Sequence, residues 1–368
     1  MKLGLGPGIA LTLSLAAAPA FADEATEPAV QESTLRTRPP SGHFAVGAGY
    51  NPDDGFLAHA EIVQNNLFLT GQRLALSADI SAIRQRFLLV HEVPDLLGSG
   101  LDLRSEMFSN VVEYPAYTRK GTGGAVTLGK RLSRTTRIYA RYRIESVEMD
   151  PAEAAAQRME PSAAAAVSSS SNLGEGILAT LGAGLEYSTL DAPMLPRRGS
   201  RLALFAERAD RRLGGDHELL RAGGVAEHAR PLGPFTLRLH GHATAVRSRD
   251  PMGVPLAFRL PHEGHAEVRG YGLETGSPIG DNVETVGKIE LELPIIPKLG
   301  LSLAGFADAG LRYNTDAAWG PRSALLQRSV GVSLIWRSPI GPLRFDWALP
   351  LDGDRRDPQF LFGLGSPL

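Results

Sequence analysis

The chain has 368 residues, a formal net charge of −2 and 21% charged residues, a balance that points neither to nucleic acid nor to a polybasic membrane arm. It contains no cysteine, which excludes disulfide scaffolds, thiolate metal sites and cysteine nucleophiles. Mean hydropathy is −0.08 and no apolar run of about 18 residues follows the N-terminus, which argues against transmembrane helices but not against a membrane barrel, whose alternating strands average to neutral.

Residues 1–22, MKLGLGPGIALTLSLAAAPAFA, place Lys2 before an apolar core and end on Ala20-Phe21-Ala22, the order of a secretory signal peptide. The mature chain is expected to start at Asp23 and to work outside the cytoplasm. Residues 23–42 are polar and proline-bearing and read as a disordered periplasmic leader, too few for a folded domain.

From His43 onward strand follows strand. The first two are expected at 43–50 and 55–65, and the third at 71–82, where Leu74, Leu76, Ala78 and Ile80 alternate with Arg73, Ser77, Asp79 and Ser81. Strands follow at 84–92, 100–112 and 121–131. The seventh, 135–146, sets Ile138, Ala140, Tyr142 and Ile144 against Arg137, Arg141, Arg143 and Glu145. The next four fall at 175–189, 199–210, 216–229 and 233–248. In the last of these, Phe235, Leu237 and Leu239 oppose Thr236, Arg238 and His240. The remaining five are placed at 283–294, 299–311, 325–337, 341–349 and 358–366. Segments of about ten residues with one apolar and one charged face suit a transmembrane barrel with a polar lumen. The fold expected is therefore all-β, a single antiparallel barrel of about sixteen strands over residues 43–368, with an aqueous lumen.

Loop lengths agree with that count. The longest connections, 147–174 and 249–282, are the seventh and eleventh; the tight ones, LSRT, PIIPKLG and RSPIG, are the sixth, twelfth and fourteenth. With a periplasmic N-terminus the odd connections are extracellular, where long loops belong. The seventh is low in complexity, with a short helix expected through AEAAAQRM.

Catalytic and cofactor motifs fail on inspection. GAVTLGKRLS has Arg131 where a phosphate loop needs Ser or Thr, and it lies in a strand. His240 with His242, or His262, Glu263 and His265, could hold a metal. In a strand, however, such spacing is what lumen-facing residues show, and no further ligand is fixed. No nucleophile motif is present. The expectation is a protein that is not an enzyme and uses no cofactor.

The carboxylates near the C-terminus are more informative. In GKIELELP, Ile289, Leu291 and Leu293 face lipid while Lys288, Glu290 and Glu292 face the lumen. In LSLAGFADAG, Ser302, Phe306 and Asp308 face in. The eleventh connection, with Arg269 inside HAEVRGYGLETGS, joins the first of these strands. Folded inward, it would bring a guanidinium to those acids, the geometry arginine suits best. Ordinary solvated lumen charges remain the alternative.

On these residues the chain resembles the BamA/TamA superfamily of outer-membrane assembly and secretion barrels (the bacterial surface antigen type). The family's V-R-G-[FY] tip of the sixth extracellular loop is matched by Val268, Arg269, Gly270 and Tyr271. Its E-x-x-x-P strand is matched by Glu290 and Pro294, its D-x-G strand by Asp308 and Gly310, and its penultimate hairpin by SPIGPLRFDWALPL with Gly341, Pro342 and Leu343. FLFGLGSPL is similar to its final strand, and the earlier NNLFLTGQRLALSADIS and YSTLDAPMLPRRGSRLAL also fit. The resemblance implies a loop arginine folded into the lumen as a latch on Glu290 and Asp308, and a weak seam between the first and last strands. It implies residence in the outer membrane, among its lipids, and help in inserting or translocating nascent outer-membrane or secreted proteins. The periplasmic POTRA domains usual in the family are not matched by the twenty or so residues before the first strand, so a periplasmic accessory protein in their place is expected. A passive or gated channel for small solutes or lipids, or a structural surface antigen, are the alternatives.

Overall fold

The structure, a computed structural model, describes residues 42–151, 172–319, 322–338, 341–353 and 357–364. The signal peptide, the leader up to residue 41 and the helix expected at AEAAAQRM lie outside them.

Sixteen strands run β1 Gly42–Asn51, β2 Gly55–Leu67, β3 Gln72–Ile80, β4 Arg84–Val93, β5 Leu101–Glu113, β6 Tyr117–Arg131, β7 Thr136–Pro151 and β8 Gly176–Ser188. They continue with β9 Gly199–Ala209, β10 Leu219–Leu232, β11 Phe235–Ser248, β12 Val283–Ile296, β13 Leu301–Asn314, β14 Ser323–Ser338, β15 Gly341–Pro350 and β16 Gln359–Leu364. Each pairs antiparallel with its sequence neighbours, and β16 returns to β1 to close the barrel. Closure removes the open edge that lipid could not satisfy. Gly42, expected at the end of the leader, is the first residue of β1 and pairs with Gln64.

The outer face is apolar: Phe44, Ile62, Leu76, Ile138, Leu204, Ile289, Leu303 and Trp347 are all exposed. The charged residues of the same strands turn inward. In β12, Ile289 is 45% and Leu291 40% exposed, whereas Glu290 is 3% and Glu292 1% exposed. This alternation is what a lipid exterior and a polar interior require of a pleated strand.

Two strands run well past their expected ends. β6 begins at Tyr117 rather than 121, and β7 continues to Pro151 rather than 146. Beyond Glu145 the polarity of β7 inverts: Val147 and Met149 are buried inside while Ser146, Glu148 and Asp150 are exposed outside. The outer surface has left the apolar region here, and the inner surface packs on protein instead of water. Val112, Tyr114, Tyr117, Val147 and Met149 form an apolar cluster with Leu256 and Ala257 of the eleventh connection. That connection, residues 249–282, lies inside the barrel with most of its residues buried. It carries three short 3₁₀ turns, at Leu256–Phe258, Gly264–Ala266 and Leu273–Thr275, and Leu260 bridges to Asp281 across its neck.

The closure is uneven. β13 and β14 pair continuously from Leu301↔Trp336 to Asn314↔Ser323, and β15 and β16 from Leu343↔Leu364 to Ala348↔Gln359. Among the described residues, β1 and β16 pair only at Gly49↔Gly363 and Tyr50↔Phe362.

Candidate functional site

β11 to β15 build an inward wall of alternating charge. Their registers align Arg238 with Glu290, Glu290 with Phe306, and Lys288 with Asp308. The tip of the eleventh connection docks on this wall. Arg269 donates from Nε to Asp308 Oδ2 (2.7 Å) and from Nη2 to Asp308 Oδ1 (2.6 Å), a bidentate pair, and its backbone N–H donates to the same carboxylate (3.2 Å). Its guanidinium lies 3.5 Å from the centre of the Phe306 ring. Arg269 is 4% and Asp308 3% exposed, so each is buried against its partner. A charge so buried is tolerated when it is paired and hydrogen-bonded.

Glu290 is placed differently from the simple two-acid latch. Its nearest approach to Arg269 is 3.5 Å, at Nη1. It accepts instead from Arg238 Nη1 (2.9 Å) and Arg344 Nη2 (2.5 Å). Arg344 in turn donates to Asp346 (2.8 Å), which stands 3.9 Å from Arg269. Glu292 extends the wall network to Arg238 and to Arg337 (2.5 Å). Asp308 is thus the direct partner of the loop arginine, and Glu290 is shared mainly among wall arginines.

The other tip residues each meet a specific surface. Val268 is buried with Tyr271 and Val286 and sits over Gly310, where an added Cβ would lie 2.6 Å from Val268 Cγ2. Gly270 has φ 98°, which favours glycine, and a Cβ there would touch Pro350 and Ala348. Tyr271 Oη donates to the carbonyl of Arg328 (2.8 Å) and accepts from the N–H of Asp352 (2.9 Å). Pro294 marks a register shift at the end of β12, and Gly341, Pro342 and Leu343 open β15, pairing with Ser338, Arg337 and Trp336.

A second set of bonds holds the body of the loop. Arg312 donates to the carbonyls of Leu260 (3.0 Å) and Pro261 (2.9 Å) and to Glu267 (2.5 Å) and Glu284 (2.8 Å). Burial opposes ionisation of Glu267, but Arg312 and His262 outweigh it and hold the carboxyl below its usual range. Lys288 Nζ donates to the carbonyl of Ala266 (3.0 Å). At the opposite wall Arg84 donates to Glu263 (2.7 Å) and Asp54 (3.0 Å), and Tyr114 donates to Glu263 (3.2 Å). The histidines weighed as ligands have protein partners: His240 meets Glu227, His242 meets Glu284, His262 meets Glu267, and His265 accepts from the Gly270 N–H. One ligand atom each from His242, Glu267 and Glu284 lies within 4.8 Å of the others, with Arg312 donating to both carboxylates.

Sequence reasoning missed Phe306 as a stacking partner, and Arg238, Arg344 and Asp346 as the immediate neighbours of Glu290. The inward parity of Arg238, Arg344 and Asp346 was a usable signal. Nothing local identified Arg312 or Arg84 as loop anchors, because their partners are distant in sequence.

The profile of the Omp85 superfamily domain matches residues 66–367. Among curated proteins, the chain is similar to the outer membrane protein assembly factor BamA of Nitratidesulfovibrio vulgaris (strain Hildenborough), 25% identical over 341 residues that cover 89% of this chain and 42% of that protein. It is similar to BamA of Neorickettsia risticii (strain Illinois), 25% identical over 349 residues, covering 89% and 45%. The chain therefore spans less than half the length of these two relatives. Among solved structures, BamA from Haemophilus ducreyi lacking POTRA domains 1–3 superposes with a TM-score of 0.72 at 21% identity, over 88% of this chain and 70% of that one. CdiB from Escherichia coli superposes with a TM-score of 0.58 at 14% identity, over 91% and 63%. These two structural likenesses speak to the fold. With a family match over most of its length, the chain is a barrel of the cell outer membrane and belongs to the Omp85 superfamily.

Proposed function

We propose that this barrel assists the insertion or translocation of proteins at the outer membrane, working through the seam between β1 and β16. The observation that carries this reading is the short pairing there, Gly49↔Gly363 and Tyr50↔Phe362 among the described residues. An opened seam exposes unpaired N–H and C=O groups, a template on which an extended client strand adds by β-augmentation. The docked loop serves as an internal brace. Arg269 fastens it to β13 through Asp308, Tyr271 fastens it to β14 through Arg328, and Arg84 fastens it to β4 through Glu263. The wall then keeps its curvature while the seam parts. Similarity to the outer membrane protein assembly factor BamA supports the same class of work; on this reading nascent outer-membrane or secreted proteins are the clients and a periplasmic protein is the helper.

The test is a reversible lock. The native chain has no cysteine, so a Gly49→Cys/Gly363→Cys pair is the sole thiol couple. In liposomes, oxidation is expected to abolish assisted insertion of a client barrel at least tenfold, with recovery on reduction. Full activity of the oxidised barrel would defeat the seam reading. A large, steady conductance in planar bilayers with no effect on client insertion would favour a channel instead.

A further inference from the structure

We infer that the lumen beneath the eleventh connection holds a binding site for an anionic amphiphile, a molecule with one phosphate or carboxylate head and a short hydrocarbon tail. The cavity is about 170 Å³, bounded by the inner faces of β4 to β12 and roofed by residues 257–261 and 263 of the loop. That leaves room for on the order of ten waters, or for a small head group with several methylenes.

The charge favours an anion. Arg86, Arg119, Arg141, Arg143, Arg221 and Arg259 line the cavity against five carboxylates, Glu106, Glu145, Glu207, Glu263 and Glu284. Four of those carboxylates are already shared, and the fifth, Glu207, stands 4.0 Å from Arg221. Glu106 receives Arg104 as well as Arg141, and Glu145 receives both Arg119 and Arg143. Glu263 is held by Arg84 and Glu284 by Arg312, neither of which lines the cavity. The Nε groups of Arg141 and Arg143 are buried and have no hydrogen-bond acceptor. A buried donor without an acceptor is costly, and a phosphate or carboxylate supplies acceptors at the geometry guanidinium prefers. The strand registers set these groups side by side: Arg141 pairs with Gly182, Gly182 with Glu207, and Glu207 with Arg221. Gly182 brings no side chain to the row beside Arg141, and Glu207 stands between it and Arg221.

The apolar part favours a tail. Leu88, Leu178 and Phe258 line the same cavity and are only half-buried, at the margins of buried apolar clusters that line the lumen here. Phe108 lies against the Arg143 guanidinium, 4.3 Å from ring centre to Cζ, and joins the charged and apolar halves. A head among Arg141, Arg143 and Arg221 would run its tail over Leu178 and Phe258. Because Phe258 and Arg259 belong to the loop, an occupant would also bridge the loop to the wall.

The test uses the full chain in phosphatidylcholine nanodiscs, with hexyl phosphate, inorganic phosphate and 1-hexanol as titrants in calorimetry. Hexyl phosphate is expected to bind at least tenfold more tightly than either other probe. Arg141→Gln/Arg143→Gln, its fold checked by gel mobility without heating, is expected to weaken hexyl phosphate tenfold or more. Leu178→Trp, which fills the tail region, is expected to weaken hexyl phosphate and leave inorganic phosphate unchanged. Equal binding of inorganic phosphate would reduce the site to one for small ions and overturn the amphiphile. Equal binding of 1-hexanol, or unchanged hexyl phosphate binding in either variant, would overturn the site. Should the double glutamine variant fail to fold, Leu178→Trp alone decides.

Discussion

Arg269 and Asp308 form a unit in which each residue compensates the burial of the other. Removing one partner leaves an unpaired charge among protein atoms, so Arg269→Ala and Asp308→Ala should each cost about 3–5 kcal/mol. The double variant Arg269→Ala/Asp308→Ala should cost less than the sum, because no charge is stranded. Urea midpoints of the four proteins, folded in the same detergent, check this; strict additivity would mean the pair does not act as one. Gly310 offers a steric counterpart. Gly310→Ala pushes a methyl toward Val268 and should destabilise by about 1–3 kcal/mol. Adding Val268→Ala removes the clash and should recover much of the loss in the same unfolding series. No recovery would show that Val268 is not what the glycine accommodates.

At the scale of elements, the loop meets the β1–β2 turn through two buried titratable groups of opposite tendency. Asp53 accepts from the Leu273 N–H (3.0 Å), and burial, aided by Glu274, raises its carboxyl to about 6 against that hydrogen bond. Its protonated form is favoured in the fold. The stability it contributes is full below its unfolded value near 4 and is lost as pH rises through 6. His265 is lowered to about 4, first by burial and then by His262. It is favoured neutral, so its contribution is full above about 6.5 and is lost as pH falls through 4. Between pH 4 and 6 the two oppose each other. Asp53→Asn removes the first and keeps the second. Hydrogen exchange of residues 262–275 should therefore depend weakly on pH in the native protein, after correction for intrinsic rates. In the variant it should show a clear loss of protection on acidification. Identical profiles would exclude Asp53 from the balance.

For the whole molecule, closure makes stability cooperative around the sheet, yet the ring is only as secure as its least-paired joint. Amides of β1 and β16 at the seam should exchange at least tenfold faster than those of β13 and β14, whose pairing is continuous. Mass-spectrometric exchange on the refolded barrel measures this directly. Uniform protection around all sixteen strands would remove the physical basis for opening at that joint. The docked loop works in the opposite sense, tying β4, β13 and β14 to one another across the lumen.

What the sequence by itself determined is the periodic part. Alternation such as Ile289, Leu291 and Leu293 against Lys288, Glu290 and Glu292 is local, because lipid outside and polar groups inside act on each residue through its parity alone. Strand number and the inward direction of Glu290 and Asp308 follow from it. The V-R-G-Y tip was legible for a different reason, as a short contiguous motif. The tertiary structure alone decided the partners. Arg269 chooses Asp308 over Glu290 because Arg238 and Arg344, on strands far along the chain, already occupy Glu290. The ends of β6 and β7 were misplaced because Val147 and Met149 turn inward only where the loop supplies an apolar surface for them. Parity is a property of one strand, whereas pairing and polarity inversion depend on what closure of the barrel and folding of the loop bring to the other side.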